Sequence, residues 1–441
     1  MAPGPANPPP GLCGTCVNAR TIPSDRGQRF IRCAKSDADP RYARYPPLPM
    51  AHCQGYVIYD PAVSTESKPK GGLEDVVATS SSICFIDGER GILAYRGCDI
   101  HDLAPHATFE EVCYLLWHGR LPNRAELGEL QSQFAADRAL PDGVIRLLRQ
   151  LPPSEAMDTL RTAASALGHY DRDAADDSPA ANYRKAVRLT AQMGSLVAAI
   201  GRIEQNQGPI DPDPVMGFAA NFLYQLTGTR PDALAVRALD CALVLHADHE
   251  LNASTFAARV AAATLTDIHS AIVGGIGALK GPLHGGANAE VMKMLLDFGA
   301  SATPEKVEST IREKLAKKEK IPGFGHRVYK TMDPRAVHLR QLSKDLGKRS
   351  GQSHWVEMSE RIETLVKGEK KLNPNVDFYS ASMYYALGIP VSLYTPIFAV
   401  SRTSGWTAHV LEQYANNRLI RPRAEYTGPS VPQPWVPLEQ R

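Results

Sequence analysis

Three histidines in the second half of the chain stand beside a change in backbone character. They are His249 in "LHADHELNAST", His284 in "GPLHGGANAE" and His326 in "GFGHRVY". Glycines beside a histidine let the backbone approach a ligand closely, and a helix start favours neutral imidazole over imidazolium. A neutral imidazole that donates a hydrogen bond can stabilise the oxygen of an enol or enolate. The pattern indicates carbonyl chemistry, although a lone histidine more often has a structural role.

Enol chemistry also needs a base, and Asp377 in "NPNVDFYSASMYYALG" is the candidate. An aspartate before an apolar helical run is commonly an N-cap, so the sequence alone favours the capping role. Three arginines, Arg335, Arg402 and Arg421, supply guanidinium forks that can each hold a carboxylate bidentately. Such a set suits a small dicarboxylate.

The segment "KIPGFGHRVYKTMDPR" places basic side chains around a Gly-Phe-Gly turn. It could be a solvated basic loop. It could also be a place where backbone amides, an imidazole and guanidinium groups converge on an anionic ligand.

The composition is that of a globular chain with little net charge. Of 441 residues, 43% are apolar and 22% charged, and the formal charge is +2. This balance does not favour nucleic-acid binding, and the only residues that point to it are Arg26, Arg29 and Arg32 beside Phe30. No apolar run approaches the roughly 18 residues of a membrane span, and the first residues lack the pattern of a secretory signal. We therefore expect a cytoplasmic protein with no membrane partner.

Four of the eight cysteines fall early, at Cys13, Cys16, Cys33 and Cys53. The close pair has the spacing of two ligands to one tetrahedral metal, but the second pair is wider than in a standard zinc ribbon. Two interpretations stay open: a zinc or iron–sulfur site, and reduced thiols without a metal. Dense proline and the polar linker "VSTESKPKGG" mark residues 1–70 as a separate N-terminal module.

The elements that must position the histidines are predicted to be helices. In "TFEEVCYLLWHGRLP", Thr108 and Glu111 form a capping box, and Gly119 ends the helix. The segment "ARVAAATLTDIHSAIVGG" has the pattern of a buried helix, and strand alternation is confined to short pieces such as "SICFID". The sequence predicts an all-α body.

Five separated blocks, in order along the chain, resemble the citrate synthase family. They are "LHADHELNASTFAARV", "GALKGPLHGGAN", "IPGFGHRVYKTMDPRA", "NPNVDFYSASMYYALGIP" and "TPIFAVSRTSGWTAHVLEQYANNRLIRPRAEYTGP". The resemblance covers roughly Leu73 to Pro429 and is to the shorter bacterial branch, which also contains 2-methylcitrate synthases. Nothing in the family that aligns accounts for residues 1–70.

The resemblance implies an all-α fold of two domains and a homodimer. A large domain would comprise residues 71–286, a small domain 287–388, and a C-terminal segment, 389–441, would return to the large domain and the dimer partner. The implied reaction condenses acetyl-CoA with oxaloacetate and water, through an enol intermediate and hydrolysis of citryl-CoA. It requires no cofactor, because the coenzyme A thioester is a substrate.

Carried onto this sequence, the resemblance implies three catalytic residues. Asp377 would remove a proton from the acetyl methyl group, His284 would hydrogen-bond the enol oxygen, and His326 would donate to the oxaloacetate carbonyl.

The resemblance also implies two sets of binding residues. Oxaloacetate would be held by His249, Arg335 and Arg402 of one subunit and by Arg421 of the other. The coenzyme A site would comprise a loop and the basic residues beside it: Lys320, Ile321, Pro322, Gly323, Phe324, Gly325, Arg327 and Lys330.

Three alternatives stay open. Propionyl-CoA, the substrate of a 2-methylcitrate synthase, is one methylene larger than acetyl-CoA, a difference of about 1–3 kcal/mol in an apolar pocket. A metal-dependent hydrolase could use His246, His249 and Glu250, but their order matches neither H-E-x-x-H nor H-x-x-E-H. A metal-containing nucleic-acid-binding protein would depend on the cysteine segment.

Overall fold

Helices form most of the part of the chain that the structure describes. The computed structural model describes residues 18–23, 29–39, 41–42, 76–429 and 433–441. The chain divides into two units, Met1–Ser80 and Ser81–Arg441.

The described part of the first unit contains an antiparallel hairpin, in which β1 (Ala19–Pro23) pairs with β2 (Arg29–Cys33). Cys33, at the end of β2, is a free and half-buried thiol. The other three cysteines of the predicted metal site lie outside the described residues: Cys13, Cys16 and Cys53. The metal site therefore stays a prediction.

A small antiparallel sheet opens the second unit. It consists of β3 (Cys84–Asp87), β4 (Ile92–Tyr95) and β5 (Cys98–Asp99), in that order. The strand predicted within "SICFID" is confirmed as β3. The buried hydroxyl of Tyr95 donates to the main-chain oxygen of Asp248 over 3.0 Å, so the sheet contacts a segment that carries one of the candidate histidines.

Sixteen α-helices follow the sheet within the described residues. The first eight are α1 (Ile100–His106), α2 (Phe109–His118), α3 (Arg124–Asp137), α4 (Asp142–Gln150), α5 (Ala156–Leu167), α6 (Pro179–Glu204), α7 (Phe218–Thr227) and α8 (Ala233–His246). The others are α9 (Ala253–Ala262), α10 (Ile268–Leu279), α11 (Ala287–Phe298), α12 (Pro304–Ala316), α13 (Pro334–Ser350), α14 (Ser353–Lys370), α15 (Val376–Ala386) and α16 (Tyr394–Ala415). The predicted helical body is confirmed, and no described helix is long and apolar enough to cross a bilayer.

Local sequence signals fix the ends of α2. The predicted capping box is present: the Thr108 hydroxyl accepts the Glu111 amide, and the Glu111 carboxylate accepts the Thr108 amide. Gly119 follows with φ +77°, the left-handed conformation that ends helices. The apolar face between these caps is buried, so capping and burial agree on the same boundaries.

The prediction of one helix through "ARVAAATLTDIHSAIVGG" was wrong, because the segment forms α9 and α10. The Asp267 carboxylate caps α10 by accepting the Ser270 amide over 2.9 Å and its hydroxyl over 2.6 Å. Leu265, between the two helices, has φ +64°. Aspartate is more favourable at a cap than inside a helix, and here that preference outweighs the continuous apolar pattern.

Two groups of helices position the candidate site. The long α16 is buried along most of its length and packs against α6, α9 and α10, while α13 and α11 both pack against α15. The α13 helix also contacts α8 and α1. The division into domains at residues 286 and 388 stays a prediction.

A methyl group at Gly405 tests the contact of α16 with the segment after α8. A Cβ at this position would collide with the Ala247 carbonyl and the Asp248 carboxylate. We expect Gly405→Ala to lower the free energy of unfolding by about 1–3 kcal/mol, as overpacking does. Chemical denaturation measures the change.

The matched control for this substitution is Gly128→Ala in α3, where a Cβ would have nothing within 4 Å. It should stabilise the protein by roughly 0.5–1 kcal/mol, because alanine restricts the unfolded chain. Equal stability of Gly405→Ala and the parent would contradict the packing described.

Candidate active site

The glycine loop before His326 and the segment before α15 are joined by hydrogen bonds. The Gly325 amide donates to the Asn373 oxygen over 3.0 Å, and the Asn375 amide donates to the Gly323 oxygen over 2.9 Å. The Asn375 side chain adds a third bond, from Nδ2 to the Gly325 oxygen over 3.0 Å. Two segments that are 50 residues apart in sequence are therefore held in register.

Only glycine fits at position 323 of this loop. Gly323 has φ +78°, and a Cβ there would lie 2.8 Å from side-chain carbons of both Phe378 and Val291. The absence of a side chain thus allows the loop to lie directly against α15 and α11.

Asp377 is not the helix cap that the sequence alone favoured, and that interpretation was wrong. Asn375 is the N-cap of α15, and its Oδ1 accepts the Asp377 amide over 3.0 Å. The Asp377 side chain is only 9% exposed, and its Oδ1 is buried without a partner among the described residues. Because another residue caps the helix, this carboxyl group is available for chemistry.

Burial raises the pKa of Asp377 to about 7, with the positive charges of Arg335 and Arg402 opposing the rise and the negative charge of Asp333 adding to it. Near neutral pH the group is therefore partly ionised. A carboxylate with a pKa close to the working pH is a better proton acceptor than one with an ordinary pKa.

His284 is held as a neutral imidazole with one defined tautomer. The Ser254 amide lies 3.2 Å from Nε2 and the Ser254 hydroxyl 2.8 Å from it. A backbone amide can only donate, so Nε2 carries the lone pair and the ring proton is on Nδ1. Burial, with a further contribution from Arg402, lowers the pKa of His284 to about 4. His284 is therefore a neutral donor through Nδ1.

His326 is fixed in the opposite tautomer. The amides of Val328 and Tyr329 both donate to its Nδ1, over 3.0 and 3.1 Å, so the ring proton is on Nε2. Burial, and next the charge of Arg335, lowers the pKa of His326 to about 4. His326 therefore offers a neutral Nε2–H donor.

Tyr329 joins His326 to His249. Its ring centroid lies 4.7 Å from that of His326, and its hydroxyl lies 3.2 Å from His249 Nε2. The His249 and His326 rings are 5.3 Å apart, and burial, with Arg335 next, holds the pKa of His249 well below its usual range. A buried Tyr329 thus forms one wall between two candidate site residues.

Two of the three predicted arginines are buried beside these histidines. Arg402 donates from Nε to the His246 oxygen over 2.7 Å and stacks on Phe398, while its Nη1 has no partner among the described residues. Arg335 is 3% exposed. Burial lowers the pKa of Arg402 to about 10, whereas the pKa of Arg335 is raised despite its burial because Asp333 lies beside it, so both groups stay cationic at neutral pH. Such buried guanidinium groups are suited to binding carboxylates.

Arg421 is placed differently from the other arginines. It lies exposed in the segment after α16, which has neither helix nor strand at that position. Within a single chain the structure does not bring it to His249, Arg335 or Arg402.

A cavity of about 1960 Å³ borders the glycine loop. Its lining contains every residue from Lys320 to Arg327, and Leu283 and Gly286 on either side of His284. Further lysines line it: Lys280, Lys293, Lys318 and Lys370. Lys330, the remaining predicted basic residue, is not in the lining; its amide donates to the Gly88 oxygen over 2.9 Å. Six basic side chains thus line the cavity against four glutamates, Glu155, Glu204, Glu290 and Glu319, and this net positive balance suits a large anionic ligand.

The surroundings of His246 and His249 do not favour a metal ion. The His246 Nδ1 donates to the Ala242 oxygen over 2.7 Å, and burial together with Arg335 lowers the pKa of His246 to about 3. Arg335 and Arg402 both act on these two imidazoles and would repel a cation. No group of three side chains able to hold a metal occurs among the described residues.

Sequence reasoning gave no role to several residues that contact the site: Ser254, Tyr329, Asp333 and Asn375. Asp333 precedes Pro334 and Asn375 precedes Val376, and both are recognisable as helix starts. No comparable signal links Ser254 to a histidine 30 residues away.

Known proteins match this chain along most of its length. The family model described as "Citrate synthase, C-terminal domain" matches residues 72–423. A Bacillus subtilis protein named "Citrate synthase 2" is 57% identical over 372 residues, which cover 84% of this chain and 98% of the relative. Another, named "Citrate/2-methylcitrate synthase", is 44% identical over 360 residues, 81% of this chain and 96% of the relative.

A solved structure is similar over the same extent. It is the ternary complex of carboxymethyl coenzyme A and oxaloacetate with citrate synthase from the thermophilic archaeon Thermoplasma acidophilum. The match has a TM-score of 0.78 and 34% identity, and covers 84% of this chain and 98% of that one.

The protonation states of His284 and His326 can be measured by NMR on protein labelled with [15N]histidine. With each pKa at about 4, we expect both rings to stay neutral from pH 5.5 to 8, with the proton on Nδ1 of His284 and on Nε2 of His326. Spectra of His284→Gln and His326→Gln assign the signals. Titration of either ring within that range, or the other tautomer, would contradict the geometry.

Proposed function

The chain belongs to the citrate synthase family, and on that premise we propose that it condenses acetyl-CoA with oxaloacetate and water to citrate and free coenzyme A. It is an enzyme of the acyltransferase class. The observation that carries the site assignment is the buried Asp377 carboxyl, whose Oδ1 has no hydrogen-bond partner among the described residues and whose pKa is about 7. We expect the reaction to need no cofactor.

The first step removes a proton from the methyl group of acetyl-CoA. Asp377 accepts this proton, and the electrons of the C–H bond move toward the thioester oxygen. His284 donates a hydrogen bond from Nδ1 to that oxygen. A neutral imidazole stabilises the developing negative charge through this hydrogen bond and keeps its own proton, because its N–H is a far weaker acid than that of an imidazolium.

The second step forms the carbon–carbon bond. The enol carbon attacks the carbonyl carbon of oxaloacetate, and the carbonyl oxygen gains negative charge. His326 donates to this oxygen from Nε2, the nitrogen that its main-chain contacts leave protonated. In the overall balance the proton that Asp377 took from the methyl group ends on this oxygen, which becomes the hydroxyl of citryl-CoA. Water then adds to the thioester carbon and the C–S bond breaks. The sulfur leaves as the thiol of coenzyme A, and the new carboxylic acid group ionises to give citrate.

Oxaloacetate brings two carboxylates, and the arginines supply the matching charge. Arg335 and Arg402 are both buried, and their positive charges act on the neighbouring His249. Arg421 would reach the site of a second subunit, since it is exposed in its own chain. We therefore propose a homodimer with an active site that one subunit cannot complete. We also propose that the protein acts in the cytoplasm.

Coenzyme A would occupy the cavity beside the glycine loop. The amides of Gly323 and Phe324 lie in this loop, and Lys320 and Arg327 line the same cavity, where phosphates would meet positive charge. The lining lysines 318 and 370 are further candidates for this role.

The acyl group of the thioester substrate, acetyl or propionyl, has to be assigned separately. The 57% identical relative is named for citrate synthase alone, whereas the 44% identical one is named for both citrate and 2-methylcitrate. This difference favours acetyl-CoA over propionyl-CoA.

Release of free thiol, followed with oxaloacetate and each thioester in turn, tests the proposal. We expect kcat/KM to be higher for acetyl-CoA than for propionyl-CoA by about 10-fold or more, the discrimination that one methylene allows. Asp377→Asn should lose at least about 1000-fold in kcat because it removes the proton acceptor. Preference for propionyl-CoA would assign the chain as a 2-methylcitrate synthase, and release with neither thioester would refute the proposal.

Deletion of residues 1–70 tests the independence of the N-terminal module. All proposed catalytic and substrate-binding residues lie downstream, and the family match begins at residue 72. We expect the shortened chain to keep most of its condensation activity in the thiol-release assay. Loss of activity in a truncated protein that light scattering shows to be dimeric would contradict this.

A further inference from the structure

We propose that Asp333 is a positioning residue, which fixes the substrate-binding edge of Arg335 and the catalytic Asp377 relative to each other. This inference rests on the proposed function. It assigns a role in the reaction to a side chain that touches neither substrate.

The Asp333 carboxylate receives four N–H groups while being only 1% exposed. Its Oδ1 accepts the Arg335 amide over 3.1 Å and Arg335 Nε over 2.9 Å. Its Oδ2 accepts Arg335 Nη2 over 2.8 Å and the Val376 amide over 3.0 Å. One carboxylate therefore joins the start of α13 to the start of α15.

The contact with Arg335 selects one edge of the guanidinium group. Nε and Nη2 form the edge that Asp333 occupies in a bidentate pair. The other edge, between Nη1 and Nη2, is thereby aimed away from Asp333 and can take a second carboxylate bidentately. The Arg335 guanidinium also lies 6.0 Å from the Tyr329 ring centroid.

The contact with Val376 fixes the base. Val376 is the first residue of α15, where an amide has no acceptor within the helix. Asp333 satisfies this amide, and Asn375 satisfies the amide of Asp377 next to it. A displacement of Asp333 would therefore shift both the arginine that binds oxaloacetate and the backbone of the base.

Stability alone does not account for this ion pair. Both partners are almost completely buried, at 1% and 3% exposure, and a buried pair is often no more stabilising than apolar residues of similar size. The pair does fix the orientation of the Arg335 guanidinium group, because a bidentate guanidinium–carboxylate contact is planar and specific.

The test compares Asp333→Asn with the parent protein. Asparagine caps helices as well as aspartate does, so α13 should form and the protein should fold. Without a carboxylate the bidentate contact is lost, and we expect KM for oxaloacetate to rise ~10–100-fold, the effect of losing charge-assisted hydrogen bonds. The acid limb of the kcat/KM profile for acetyl-CoA should also move to lower pH, because Asp333 contributes negative charge at Asp377 while Arg335 would remain unneutralised.

Two further variants separate charge from position. Asp333→Glu keeps the charge but displaces it, so we expect a raised KM for oxaloacetate with the acid limb at the parent's pH. Asp99→Asn removes the carboxylate that caps α1 through the His101 amide, and should change neither quantity. If Asp333→Asn only weakened the packing of the site, kcat would fall and the acid limb would stay at the parent's pH.

The proposal is overturned if Asp333→Asn keeps the parent's KM for oxaloacetate and the parent's acid limb, or if only kcat falls. If the parent itself releases no thiol, the proposed function fails first. Calorimetric titration with oxaloacetate then still tests the link, since Asp333→Asn should bind ~10–100-fold more weakly than the parent. Equal binding, or no binding by the parent, overturns it.

Discussion

The burial of the Asp377 carboxyl is the constraint on which the rest of the site depends. Removing a carboxylate from water disfavours its charged form, and the opposing effects of Arg335 and Arg402 limit the rise in its pKa to about 7. With full exposure the group would be a weak base; with burial and no cations it would stay protonated. The positions of two arginines and of Asp333 therefore decide whether this side chain can accept a proton at neutral pH.

The neighbouring histidines meet the complementary requirement. Main-chain amides donate to Nε2 of His284 and to Nδ1 of His326, so each ring keeps one defined N–H for the ligand. The two buried guanidinium groups that would bind a dicarboxylate also disfavour protonation of these rings. The same charges thus serve binding and keep the donors neutral. Asp377 Oδ1 and Arg402 Nη1 are buried and have no hydrogen-bond partner in the part of the chain that the structure describes, as expected where a ligand completes the hydrogen bonding.

Local sequence patterns correctly predicted the features that depend on residues close together in sequence. The capping box at Thr108 and the strand within "SICFID" follow from such patterns. Local patterns failed where a short-range signal was outweighed, as at Asp267, which divides α9 from α10, and at Asp377, where Asn375 takes the cap. The contacts of Ser254 with His284 and of Asp333 with Val376 join residues that are 30 and 43 positions apart, and no spacing rule predicts them. The proposed role of Arg421 depends on a second subunit, and no pattern within one chain predicts such a contact.

The pH dependence of kcat/KM for acetyl-CoA tests the central claim most directly, because it reports the ionisation of the free enzyme. The account predicts that the rate falls on the acid side with an apparent pKa near 7, the value that burial gives Asp377. Neither His284 nor His326 should add a limb above pH 5, since both have a pKa of about 4. A profile that stays flat from pH 8 down to pH 5 would contradict the assignment of Asp377 as the base.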